Sequence, residues 1–393
     1  MQRDIRFRLC FFGSLAASVA LGLVACANMR SATPPQGELA SGELADGQAI
    51  FRYDTFGDEQ LWTDKLKLHR VIDESLQPLE ALRLGLKVDV DKLELGRFVE
   101  HNPLAAGGTR ELLRQNAVVG VQAHFEPDGH ISRIGITCAL CHSTVDDSMV
   151  PGIGHRRDGW PNRDLDVGKI IAMSPEIPED KKAVYRSWGK GRYDPRFNID
   201  GKNTPLVLPP AYGLAAVKNE TYTAEAPISY WNAYVAVTQM GGQGNFVDPR
   251  LGIEVHHTPD LVTPKLAALR AYQHSLAVPQ LRAGEIDQAQ AESGHEVFNT
   301  NCASCHVGGN GTDNDKGVLH TAAETGMDGS YAARTITKQY RTTPLRGLWQ
   351  HPPYFHDGSA ATLKDVVAHY DQQRNLHLSA TQQRDLAEFL KTL

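Results

Sequence analysis

The sequence predicts a mainly α-helical chain folded as two units, each organised around one short motif. Three observations predict this. The stretches Cys138-Ala139-Leu140-Cys141-His142 and Cys302-Ala303-Ser304-Cys305-His306 repeat one pattern, two thiols three positions apart followed at once by an imidazole. Segments beside each motif carry apolar residues at mixed three- and four-residue steps, the period of a helix with one packed face. Between them run stretches rich in Gly, Pro, Asn and Asp, which read as long loops.

Two cysteines and an adjacent histidine at this spacing are the attachment pattern of a c-type haem. The cysteines bond the vinyl groups and the histidine becomes the proximal iron ligand. A zinc ribbon would need its second cysteine pair about 15–20 residues after the first, and a redox dithiol or a disulfide leaves the histidine unexplained. Histidine is 16 of 393 residues, so its chance occurrence after both pairs is roughly 0.2%, whereas the haem motif requires it. His142 and His306 are therefore the expected iron ligands, with Cys138, Cys141, Cys302 and Cys305 holding two haems c. The expected fold class follows: mainly α, two cytochrome c-like domains packed around two c-type haems, with an extra N-terminal segment, a small β-hairpin and long loops.

Arg3, Arg6 and Arg8 head an apolar run from Leu9 to Ala25. The run is shorter than the ~20 residues of a spanning helix and ends in small residues, so it reads as a secretory signal. Leu23-Val24-Ala25-Cys26 resembles a lipoprotein cleavage box, and the expectation is export to the periplasm with a lipid on Cys26. Ordinary cleavage nearby is the alternative. With Cys10 in the signal, Cys26 in the box and four cysteines on haem, none of the six is left for a structural disulfide. Loss of residues 1–26, with three arginines and one aspartate, takes the net charge from −6 to −8. An acidic chain without basic runs is a poor nucleic-acid binder.

Residues 27–45 are polar, with Pro34-Pro35, and read as a tether. Residues 46–280 are assigned to an N-terminal haem domain with its extension, and 281–393 to a C-terminal cytochrome c domain. From Asp46 to Val71 the pattern is helical, interrupted by Gly57, with Trp62 and His69 read as packing residues. Leu79 to Phe98 is helical or mixed, and Gly107-Gly108 breaks it. Gln115 to Ile136 alternates apolar and polar residues around Asp128-Gly129, the signature of a β-hairpin. Ser148 to Asp200 reads as a loop folded over a porphyrin edge, and His155 and Met173 within it could reach the far face of the first haem. Trp231 starts a short helical run that Gly241-Gly242 ends. Leu261 to Leu276 reads as a helix with Thr263 as N-cap and Pro264 first. Ile286 to Asn301 is a helix leading into the second motif, Gly308 to Gly329 a loop, and Thr362–Tyr370 and Thr381–Leu393 the closing helices.

The segment Thr343-Pro344-Leu345-Arg346-Gly347-Leu348, followed by Pro353-Tyr354-Phe355-His356-Asp357-Gly358 and Thr362-Leu363, resembles the C-terminal haem domain of the bacterial dihaem cytochrome c peroxidase superfamily. That superfamily also holds MauG and the haem-dependent rubber oxygenases. The resemblance is specific over about residues 290–393 and weaker over 135–260, and residues 27–130 resemble the larger oxygenase-type members.

The resemblance implies that the C-terminal haem handles electrons while the N-terminal haem binds peroxide or dioxygen. It implies calcium at the domain interface, held by the Asn203 side chain and the carbonyls of His351 and Pro353, a ligand set of the oxygen type that Ca²⁺ takes. Asn203 as a simple turn cap is the alternative. It implies a tryptophan between the haems, Trp231, with Trp188 as rival. It places Tyr370 on the far face of the second haem, where a phenolate would lower the potential; His369 and Met327 are alternatives. Where resting peroxidases carry a displaceable histidine, this chain has Pro195, which leaves the first haem open unless His155 reaches it. Gln243 and Glu254 fall where the family moves protons, and Phe246 where an aromatic crowds bound dioxygen. The partners so implied are peroxide or O₂ and a small electron-donor protein, a cytochrome c or cupredoxin, or an organic substrate. A pure electron carrier with both irons six-coordinate is the competing reading.

Overall fold

Helix-forming stretches account for most of the regular structure, and side-chain caps decide where several begin. The structure, a computed structural model, describes residues 41–94, 107–282 and 284–393. The expected signal, the lipid box at Cys26 and most of the tether lie outside the described residues, as does the end of the Leu79–Phe98 segment. No helix among the described residues is long and apolar enough to cross a membrane.

Helices α1 (Ser41–Tyr53) and α2 (Leu68–Glu74) flank a π-helical turn at Gln60–Lys65. The expected hairpin forms from β1 (Val121–Phe125) and β2 (Ile131–Ile136), paired antiparallel, and β2 feeds directly into α3 (Ala139–His142) at the first motif. Ser148–Asp200 is not one loop: it contains α4 (Val167–Ala172) and α5 (Glu179–Ser187). The Asp166 carboxylate accepts from the Lys169 N–H and starts α4, a cap hidden in the sequence among Gly, Pro and Asn. Beyond α6 (Ile228–Tyr234) come β3 (Phe246–Asp248), β4 (Ile253–Val255) and α7 (Leu266–Ser275). A 3₁₀ turn at Thr263–Lys265 precedes α7, and Asp260, not Thr263, caps it by accepting from the Val262 and Thr263 N–H groups at 3.0 Å each.

Helix α8 (Gln288–Asn301) runs into the second motif, and α9 (Leu363–Arg374) and α10 (Ala380–Lys391) close the chain. Thr362 with Asp365 and Ser379 with Gln382 form capping boxes that fix the starts of α9 and α10. The Gly308–Gly329 segment also holds a four-residue helix, Ala322–Thr325, begun by a third capping box. Gly294 is required where α8 crosses α10: a Cβ there would lie 2.0 Å from the Asp385 carbonyl oxygen.

The unit Glu38–Leu393 contains three apolar cores. Two draw their buried residues from between Phe51 and Tyr272, the third from between Val297 and Leu390. Main-chain and ionic bonds join the two stretches. The Val207 N–H donates to the His356 carbonyl at 2.8 Å, and the Arg192 Nε to that of Asp357 at 3.1 Å. Arg334, its side chain 1% exposed, bonds Asp194 at 2.8 Å and Asp200 at 2.7 Å. Arg196 pairs with Glu225 at 2.7 Å, and Glu225 also accepts from the Ile336 N–H.

Asp58 is fully buried under β2, where its carboxylate accepts from the Ile136 N–H at 3.2 Å. Burial pushes it from 3.8 up to about 9. Above pH 4 the unfolded chain releases this proton, and the folded chain keeps it to about pH 9. Stability is therefore expected to fall as pH rises through that window. Asp58→Asn should flatten the slope of melting temperature against pH between 5 and 8; an unchanged slope would contradict the burial account.

Candidate functional site

Both motifs fold as a single turn that presents thiols and imidazole to one space. The His142 N–H donates to the Cys138 carbonyl at 3.2 Å and the His306 N–H to that of Cys302 at 3.0 Å. None of these four cysteines is paired in a disulfide. Burial pushes Cys138 and Cys141 up to about 12 and Cys302 to about 11, so they are neutral thiols at pH 7. The two imidazoles are held alike. His142 Nδ1 bonds the Pro209 carbonyl at 3.1 Å and His306 Nδ1 the Gly311 carbonyl at 2.8 Å. That fixes the tautomer and leaves each Nε2 for a metal, the outer-shell arrangement of a metal-ligating histidine. Burial lowers both imidazoles, His142 to about 4, which keeps them neutral and able to ligate.

All six motif residues line one continuous cavity of about 740 Å³, near the upper end of the roughly 300–1,000 Å³ usual for ligand sites. Its walls are mostly apolar, with Leu68, Ile72, Val167 and Val235 beside the first motif and Phe298, Leu348, Val367 and Leu386 beside the second. Its charged lining is one-sided: Arg163, Arg341, Arg346 and Arg374 against Glu220. Arg163, Thr221, Trp231 and Arg341 each leave a buried polar atom without a protein partner, and all four line the cavity. Buried donors of this kind call for a partner. A large apolar ring carrying carboxylates fits such a space, and a c-type haem is that molecule.

Trp231 lies on α6, 6% exposed, in the cavity wall. Its rival Trp188 is a core residue: its indole N–H donates to Asn203 at 2.9 Å and its ring packs on Tyr185, Tyr193 and Phe197. After Tyr234 the helix widens to a π-helix at Val235–Gln239, where the Met240 N–H reaches back to the Val235 carbonyl at 2.8 Å. Such insertions recur at functional sites. This one brings Gln239 and Met240 to the cavity before Gly241, at φ +85°, turns the chain away.

Three expected catalytic residues stand elsewhere. Gln243 does not line the cavity; its side chain donates to the Gly57 carbonyl at 3.3 Å. Phe246 is buried in the second core against Tyr230 and Tyr234. Glu254 lies on β4 with its side chain 77% exposed beside His256. The turn at Gly241 takes the chain out of the cavity before Gln243 is reached. Gln239 is one of the amides that line the cavity, and it accepts from the Tyr193 hydroxyl at 2.8 Å. Tyr193 also lines the cavity, and burial raises its phenol well above the usual range, keeping it protonated. The sequence carried no signal for this pair, which meets across 46 residues.

His155 does not reach a haem position. It is 54% exposed, with Nδ1 2.9 Å from Asp91. Among the described residues that precede Leu276, only His142 brings an imidazole to the cavity. Met173, Met240 and Pro195 share that wall. On the other side, Tyr370 and Met327 line the cavity and His369 does not. His369 Nε2 bonds the Thr325 carbonyl at 2.9 Å. Burial pushes the Tyr370 phenol up to about 12.

The calcium assignment does not fit. Asn203 is exposed, its Oδ1 accepts from Trp188 and its Nδ2 donates to Ser187. The His351 carbonyl accepts from Arg163 Nη2 at 2.9 Å, so a guanidinium already faces that oxygen. Pro353 lines the cavity. Ca²⁺ takes six to eight oxygens, and of the three expected ones the Asn203 Oδ1 and the His351 carbonyl already accept hydrogen bonds from protein donors.

The cytochrome c family profile matches residues 291–393. The chain is 29% identical over 304 residues to the methylamine utilization protein MauG of Methylorubrum extorquens, covering 72% of this chain and 79% of that protein. It is 30% identical over 128 residues to MauG of Methylophilus methylotrophus, 38% of that protein. It is 24% identical over 160 residues to hydrazine synthase subunit gamma of Kuenenia stuttgartiensis, of which the chain spans only 40%. Among solved structures, it is similar to a MauG-like protein associated with microbial copper homeostasis, at 21% identity over 49% of this chain and 74% of that one, with a TM-score of 0.36.

Proposed function

This chain belongs to the superfamily of MauG and the dihaem cytochrome c peroxidases, and from that premise we propose that it is a dihaem oxidoreductase that activates peroxide, or dioxygen, at the haem of His142 and passes electrons through the haem of His306. The carrying observation is that both Cys-x-x-Cys-His motifs line one mostly apolar cavity, with the Met173 and Met240 thioethers and the Tyr193 phenol in the wall that holds His142, and the Tyr370 phenol and the Met327 thioether in the wall that holds His306.

A bound haem supplies a redox-active iron with a coordination seat for a small oxidant. The chain's own residues do the rest. Pro209 and Gly311 hold the two imidazoles in the ligating tautomer. The Tyr193 hydroxyl and Gln239 amide form a polar pair on the N-terminal wall, suited to orient an oxidant and hold a proton at the phenolic oxygen. Trp231, in the same cavity as both motifs, is the candidate relay, and Tyr370 the candidate sixth ligand of the second haem. Arg163, Arg341 and Arg346 offer donors to propionates. The same reading carries export to the periplasm, a lipid anchor at Cys26, and a small cytochrome c or cupredoxin, or an organic substrate, as electron donor.

The electron paramagnetic resonance spectrum of the ferric protein is expected to show one high-spin and one low-spin haem. Stopped-flow mixing with hydrogen peroxide is expected to shift the Soret band. Two low-spin signals and no reaction with peroxide would leave a pure electron carrier. Tyr370→Phe is expected to convert the low-spin signal to high spin; an unchanged spectrum would assign the ligand to Met327.

A further inference from the structure

We propose that Arg163 is the resident cation between the two haem sites, taking the His351 carbonyl that relatives would give to calcium and offering its remaining donors to a haem propionate. This goes beyond the peroxide reading and needs only that haem is bound.

Three observations carry it. Arg163 Nη2 donates to the His351 carbonyl at 2.9 Å across 188 residues, from the stretch after the first motif to the stretch after the second. Its Nε and Nη1 are buried and have no protein partner. It lines the cavity together with His142, His351 and Tyr222. The groups that act most on its charge are the tyrosines Tyr222, Tyr212 and Tyr354 and a second cation, Arg192.

A buried guanidinium with two idle donors is costly unless an anion meets it. Its planar fork matches a carboxylate bidentately, which an ammonium cannot reproduce. Among the described residues no carboxylate pairs with it, the one carboxylate on the cavity lining, Glu220, being paired with Arg341, and a haem carries two. A second cation on the same carbonyl would be repelled at close range in a dry site. The amide that would complete a calcium shell, Asn203, is spent on Trp188 and Ser187. Arg163 thus ties the two stretches through a carbonyl and places one positive charge in the wall of the cavity that both motifs line.

The test uses the purified holoprotein. Elemental analysis is expected to find less than about 0.1 calcium per chain while the pyridine haemochrome assay finds haem, and EGTA or added CaCl₂ should leave the spectrum and both reduction potentials unchanged. Arg163→Gln should lower the potential of at least one haem, because a positive charge that favoured the reduced state is gone, and Arg163→Lys should restore most of it. One calcium per chain, with a spectrum that changes on EGTA treatment, would overturn the proposal even if the Gln variant failed to fold. Unchanged potentials in a folded Arg163→Gln protein would overturn it as well. Neither result depends on reactivity with peroxide.

Discussion

A chain carrying Cys138→Ser and Cys141→Ser is expected to keep one covalent haem, to lose its high-spin signal and to stop reacting with peroxide altogether. On the proposed reading the two cysteines are the points of covalent attachment at the first motif, and both line the cavity with His142. Without the thioether bonds the haem depends on His142 and the apolar walls, and any that remains should extract into acid acetone. The second motif draws on a separate core between Val297 and Leu390, so its low-spin spectrum should persist. The matching change at Cys302 and Cys305 is expected to do the reverse: the high-spin signal remains, and turnover with an electron donor ceases. A first variant that still reacted with peroxide at the native rate would reverse the assignment of the two sites.

The second large effect is structural. Arg334→Ala is expected to destabilise the folded chain by about 3–5 kcal/mol, the usual cost of removing one partner of a buried ion pair. Arg334 is 1% exposed and Asp194, with which it pairs, is wholly buried. Removing the guanidinium leaves the Asp194 carboxylate in the interior with only the Arg196 and Thr204 N–H groups as donors. Replacing Arg334 and Asp194 together should cost less than Arg334 alone, because no uncompensated charge then remains. Denaturant titration of the holoprotein reads both; a loss under about 1 kcal/mol for Arg334→Ala would show the network to be open to water.

Much of this was legible because short-range chemistry carried it. The two motifs, the hairpin at Asp128-Gly129, the helix into Cys302 and the closing helices each rest on a local pattern, and each is present. Trp231 and Tyr370, taken from the resemblance, do line the cavity. What failed depended on counting residues through irregular backbone. The π-helix at Val235–Gln239 brings Gln239 to the cavity, and the turn at Gly241 takes the chain out of it before Gln243, with Phe246 in a core and Glu254 in solvent. Helices α4 and α5 were hidden because their Gly- and Pro-rich surroundings resemble loops. Contacts across long separations, Tyr193 with Gln239 and Arg163 with His351, leave no trace in a single sequence.

The bonds that cross between the two stretches have a kinetic meaning. Val207 to His356, Arg192 to Asp357 and the Arg334 cluster would all have to break before the attachment sites could swing apart. One main-chain bond and one side-chain-to-carbonyl bond, at about 1 kcal/mol each, and a buried ion network that is costly to split into unpaired charges all oppose that opening. Hinge opening is therefore opposed by several bonds at once, and on the proposed two-haem reading the expected consequence is a tunnelling distance set at folding and not adjusted during turnover.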